Sequence, residues 1–290
     1  MERIKTAEEQ KAIQEKRLEK MRANLAMLEM RAEFLLAKGE TMTAADRIEL
    51  LQLVNVAFHE SGKIQGIFSV DSCAACEFCQ RMIKAAADNI LMICGSCYAN
   101  ADQWKEAAWR RHKLNARIFS SVLFTVEELK TLPLYVARLV RFNEDGDTVN
   151  EIMGRNYLRI ARAFPVAFFG YFYKNTSAVE SALIAEGYTS REKLPENIRF
   201  IHSSILIGFE AAEKWFDDCI FTVYPDKETT EEAIARGAWE CNGRKCQACG
   251  FHCYLAKRQE KPVHIAEVLR CSAAKRAVIL AAYNAKKAAA

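Results

Sequence analysis

Six apolar, β-prone runs recur along the chain with helical stretches between them, and this alternation restricts the fold more than any other feature. The runs are IQGIFSV (64–70), YVARLVRF (135–142), VAFFGYFY (166–173), NIRFIHSSIL (197–206), CIFTVY (219–224) and a weak AWEC (238–241). Helices are predicted over 100–124, 156–164, 177–187, 208–217 and 228–236. Strands that read as near-continuous apolar runs are buried on both faces, so the pattern predicts a parallel sheet with helical crossovers. Six such units are too few for an eight-stranded barrel. They suit a partial (β/α)6-type barrel or an open parallel sheet.

Helices are also expected at both ends. Residues 1–38 lack Pro and Gly and keep a stripe of Met21, Leu25, Leu28, Phe34 and Leu35 that suits packing on the body. Gly39 stops this helix, and Thr43 reads as the N-cap of a second one running to His59. The organisation expected is a helical extension (1–60), an α/β domain (61–255) and a basic C-terminal helix (256–290). Hydrophobic residues make up 51% and charged residues 27%, as in soluble globular chains. No apolar run approaches the roughly 18 residues of a membrane span, and the amino-terminal stretch has no apolar signal core. A cytoplasmic location is expected, with no membrane partner and with thiols kept reduced.

In that setting the cysteines carry the chemistry. Nine of eleven fall into two groups at opposite ends of the strand–helix stretch: Cys73, Cys76, Cys79, Cys94 and Cys97, then Cys241, Cys246, Cys249 and Cys253. The second group, C-x4-C-x2-C-x3-C, converges four thiolates and fits either an iron–sulfur cluster or zinc. In the first group, Cys76, Cys79, Cys94 and Cys97 stand near zinc-ribbon spacing. Yet CAACEFC follows the first strand and resembles, one residue short, the cysteine signature of radical S-adenosylmethionine (SAM) enzymes. Cys219 and Cys271 lack partners at ligand spacing and read as small buried hydrophobes.

Sites in parallel α/β folds gather at the carboxyl ends of strands. Here those ends carry Asp71 and Ser72, then Asn143 to Asp147, Lys174, Asn175, Ser203 and Ser204, a candidate mouth for a small polar molecule. In RFNEDGDTVN, Arg141 ends a strand, and Asp147 either faces a ligand's ammonium group or caps the helix starting near Asn150. Lys174, Asn175, Ser203 and Ser204 either hydrogen-bond that ligand or terminate their strands. The net charge of +4 comes largely from the tail after Cys253. Nucleic-acid contact there, or through the basic helix holding Trp109 to Lys113, competes with the simpler reading of solvated helix faces.

Several strings in order, SGKIQGIFSV, ICGSCYA, RFNEDGDTVNE, YKN, Ser203-Ser204, FTVY and the terminal cysteine run, resemble the phage and mobile-element family called gene product 88, particularly its clostridial-type members. The resemblance covers roughly 61–254. It emphasises Cys79, Cys94 and Cys97 followed by Cys241, Cys246, Cys249 and Cys253. It implies iron–sulfur cofactors of [4Fe–4S] type, a similarity to radical-SAM barrels and a phage or mobile-element context, but no substrate. Three thiolates on a cuboidal cluster leave one iron open to SAM; a fourth from Cys76 or Cys73 closes it.

Overall fold

The computed structural model describes residues 7–60, 64–72, 77–96, 106–144, 146–241, 245–249, 253–255 and 257–289. Two helices, α1 (Ala7–Leu36) and α2 (Ala44–Leu53), open the chain. Thr43 caps α2 as expected: its hydroxyl accepts from Asp46 N–H, while the Asp46 carboxylate accepts from Thr43 N–H at 2.9 Å. Leu25 and Leu35 bury the inner face of α1, whereas Phe34 is exposed. The helix packs on the body, and Arg110 ties to Glu29 across that contact at 2.5 Å.

α2 stops at Leu53 instead of reaching His59. Asn115 takes both backbone groups of Asn55 at 2.8 Å and steers the chain into β1 (Ala57–Phe58). The parallel series follows: β2 (Phe68–Val70), then α3 (Glu77–Asp88), α4 (Glu106–Ser121) and the short α5 (Val126–Leu129) before β3 (Leu139–Phe142). α6 (Glu151–Ala163), β4 (Phe168–Tyr173), α7 (Thr176–Ala185) and β5 (Ile198–Ser203) continue it. β6 (Cys219–Tyr224), α8 (Lys227–Ala235), β7 (Trp239–Glu240), β8 (Val263–Val268) and α9 (Ala273–Ala288) complete it.

Two expectations are corrected. The predicted helix over 208–217 is irregular chain whose amides bond elsewhere: Gly208 N–H to Val223 O, Ala211 N–H to Ser204 Oγ and Lys214 N–H to Asp217 Oδ2, all within 2.9 Å. The segment expected as a C-terminal helix throughout first lays down β8 and only then forms α9. β8 pairs in parallel with β6 over six residues, and β7 pairs outside it.

The sheet runs β1-β2-β3-β4-β5-β6-β8-β7, parallel except for β1, and stays open instead of closing into a barrel. The helices that pack on its central strands sit on one side. Val140, Phe142, Phe169, Tyr171 and Phe200 point into the core shared with α4, α6 and α7, and Tyr224 and Ala266 meet α8 on the same side. α9 is separate: its Ile279 and Tyr283 pack with Leu269, Ile207 and Val223, toward the other face. The opposite face, bearing Leu139, Arg141, Gly170, Phe172, Ile201, Cys219 and Ile265, is left for other uses. No helix among the described residues is long and apolar enough to cross a membrane.

Candidate metal centre

A glycine positions the second cysteine group. Gly170 lies in a cross-strand row between Arg141 on β3 and Arg199 on β5. The ring of Tyr254 fills the gap so closely that a Cβ on Gly170 would stand 2.0 Å from two ring carbons. Glycine inside an apolar strand marks this kind of close approach. Tyr254 is buried, and the Arg141 guanidinium lies 3.9 Å from the centre of the neighbouring Phe172 ring. Cys253 is thereby pressed onto the open face, packed with Ile201, Cys219 and Ile265.

Cys241, Cys246, Cys249 and Cys253 all line one cavity of about 600 Å³ over this face. Cys241 N–H donates to Ala266 O at 2.7 Å, fixing the start of the loop to β8. Burial pushes the Cys253 thiol up to about 12; the nearby Cys246, Cys241 and Cys249 add to the rise, and Arg141 opposes it. Thiols that crowd and disfavour one another's ionisation are a site that a cation stabilises.

Cys94 joins them. It is buried in a 3-10 turn (Ile93–Ser96) and lines the same cavity, because Ile93 N–H donates to Ile205 O at 2.9 Å and Met92 bridges to Leu206 beyond β5. Cys79, half-buried on α3, is not among the residues lining the cavity. Cys73, Cys76 and Cys97 lie outside the described residues. Cys219 is buried on β6 in the cluster that holds Cys253, although its spacing gave no hint of thiol neighbours.

Of the polar residues expected at the mouth, Arg141, Lys174, Ser203 and Ser204 line the cavity. Asp147, Asn150 and Asn175 do not; each serves the scaffold. Asp147 is wholly buried, and its carboxylate accepts from the N–H groups of Thr148, Lys174 and Asn175 at 2.7, 2.8 and 3.3 Å. Burial pushes this carboxyl upward, against the Lys174 charge and those amides. Asn150, not Asp147, caps α6 by accepting from Met153 N–H at 3.1 Å. The Asn175 side chain donates to Thr148 O at 2.8 Å and accepts from Ser177.

Gly146 explains how the turn holding Asp147 reaches its place. It adopts φ +81°, and a Cβ there would fall 2.4 Å from Ser72 Oγ. Glu144, named in the acidic turn among the strand-end residues, also lines the cavity, and so does His59, which sequence reasoning did not connect with a site. Their ligand atoms and one from Asp71 all lie within 4.8 Å of one another, and among the described residues this is the group that closes so tightly. Glu144, inside the acidic turn, was the available signal; His59 precedes the first predicted strand and carried none.

Comparison of the chain with protein-family models, with curated proteins and with solved structures gives no match. The site is therefore read from its own chemistry.

Proposed function

We propose that this chain is an iron–sulfur protein whose second cysteine group holds a cluster against the open face of the sheet, beside a cavity that takes a small polar molecule. The observation that carries the reading is the meeting of Cys241, Cys246, Cys249, Cys253 and Cys94 around one cavity. The C-x4-C-x2-C-x3-C spacing supports an iron–sulfur cluster, since its x4, x2 part matches the opening of plant-type [2Fe–2S] ligation and its x2, x3 part the bacterial ferredoxin run. A mostly parallel sheet with a cavity over the face turned away from α4, α6 and α7 supports a radical-SAM-like enzyme. In that reading SAM occupies the cavity within reach of Arg141, Lys174, Ser203 and Ser204. The resemblance to gene product 88 supports a phage or mobile-element origin, and thiols clustered at ligand spacing support a reducing, cytoplasmic setting.

The competing reading is a non-enzymatic metal-binding protein with a closed structural site, favoured by Cys79 not being among the described residues that line the cavity. A nucleic-acid role for the basic tail gains little, since Lys275, Arg276 and Lys287 bond to Gly95 O, Leu269 O and Glu232 of the protein itself.

Anaerobic purification with iron, sulfide and zinc analysis tests the main reading. Iron and sulfide in near-equal amounts, with absorbance at roughly 400 nm, are expected of thiolate-held clusters. Stoichiometric zinc without sulfide overturns it. Reduction by dithionite in the presence of SAM then separates the two classes: 5′-deoxyadenosine is expected from the enzyme, and a cluster-replete protein that neither binds nor cleaves SAM decides for the closed site.

A further inference from the structure

We propose that His59, Asp71 and Glu144 form a second metal site, for a single divalent cation of the Mn2+ or Fe2+ class, on the same face as the thiols but separate from them. The three residues come from three chain segments. His59 follows β1, Asp71 follows β2, and Glu144 lies in the turn after β3. One ligand atom from each falls within 4.8 Å of the others.

The Asp71 carboxylate is held from both sides. Oδ2 accepts from Ser69 Oγ at 2.6 Å, and Oδ1 accepts from Glu144 N–H at 2.6 Å. His59 Nε2 stands 3.1 Å from the Glu144 carboxylate and 2.8 Å from Ser69 Oγ. Asp71 is buried, while His59 and Glu144 are three-quarters covered and reach the cavity, so an ion has a route in and room for water ligands. Two carboxylates this close, away from bulk water, repel unless a positive charge lies between them. The donor set decides which. Carboxylates suit Mg2+, Ca2+ and Mn2+, imidazole suits Fe2+ and Zn2+, and the mixture favours the overlap at Mn2+ and Fe2+. Thiolates prefer softer partners, so the two sites sort different metals. The alternative source of charge is a proton on His59, which lies between Ser69 and Glu144, or on His112, 3.9 Å from Asp71.

The test uses the full chain, purified anaerobically and titrated with Mn2+, with the free-ion electron paramagnetic resonance signal as readout. About one Mn2+ per chain is expected to bind, and His59→Ala and Glu144→Gln are each expected to weaken binding by tenfold or more, at least the loss typical for groups that merely support a ligand. Cys249→Ser is expected to keep the Mn2+ while losing iron, which separates failure of this site from failure of the thiol site. Circular dichroism confirms that each variant is folded, and Glu144→Gln, on a surface turn, decides the matter if His59→Ala does not fold. A wild-type protein that binds no Mn2+ overturns the proposal in favour of the proton. Mn2+ binding that survives in the folded variants overturns it as adventitious.

Discussion

The two faces of one sheet are built on opposite rules. On the helix-covered face, aromatic rings fill the space: Phe142 stacks on Tyr157 with centroids 4.3 Å apart and on Phe169 at 5.2 Å, and Tyr171 meets Phe142, Tyr157 and Phe200. On the other face the same strands present Arg141, Gly170, Arg199 and Cys219, with a cavity and a loop of thiols above them. Alternation along a strand lets neighbours serve these two ends: Val140 and Phe142 stabilise, Arg141 between them attends the site. The first face gains its stability from apolar burial; on the proposed reading the second gains much of its own from a bound metal.

The largest test of that contrast is Phe142→Ala, expected to cost about 3–5 kcal/mol in urea or guanidinium unfolding because it opens a cavity among stacked rings. The metal content of the folded fraction should stay at the wild-type level; a parallel loss of iron would break the distinction between the faces. Gly170→Ala is expected to cost about 1–3 kcal/mol, as overpacking does. Here the metal should go as well, since the new methyl displaces Tyr254 and with it Cys253. Asp147→Asn is expected to lose about 1–3 kcal/mol by weakening the bonds to three amides, and to leave metal unchanged. Selective loss of SAM binding with unaltered stability would restore the ligand role to Asp147. Cys219→Ala should retain the wild-type iron despite its contact with Cys253; loss of iron would enlist it as a ligand.

The smallest effect belongs to the scaffold alone. Arg47 and Glu128 meet at 2.5 Å between α2 and α5, and the hydrogen bond from Arg47 holds the Glu128 carboxyl down at about 2. The folded value lies below the unfolded one of about 4.3, so the stabilisation is complete above that pH and is lost as pH falls through the folded value. With allowance for solvent screening, Glu128→Gln should cost about 1 kcal/mol at pH 7. The gap to wild type should close toward about pH 2. Urea titrations across that range check it, and a gap independent of pH removes the charge from the explanation.

The strand order up to β6 was legible because buried parallel strands must be apolar on both sides, and VAFFGYFY and CIFTVY can hardly be anything else. β8 was not legible. VHIAEV sits among Lys257, Arg258, Lys261 and Arg270, and its spacing of Ile265 and Leu269 also fits a helix, so local composition outweighed a pairing that only β6 supplies. The segment 208–217 misled for a related reason. Its residues favour helix, but Ser204, Asp217 and β6 take the amides that a helix would use. At the site, short cysteine spacings announced the thiols, while the backbone contacts of Asp147 and Asn150 were not legible, because a polar residue at a strand end looks the same whether it meets a ligand or its own backbone. His59 was invisible because its partners come from β2 and the turn after β3.

The place of β8 between β6 and β7 also sets an order of assembly. β7 leaves the ribosome first yet has β8 as its sheet partner, and the carboxyl-terminal edge of β6 stays open until β8 arrives. Everything synthesised between β7 and β8 includes the four-cysteine loop. A nascent or truncated chain ending at the last of these cysteines therefore carries a naked parallel edge, the kind that recruits other chains. The same loop joins β7 to β8, the strand that covers β6. If the proposed cluster forms in that loop, holding it and completing the sheet involve the same stretch of chain, and iron supply then bears on how much of the protein escapes aggregation.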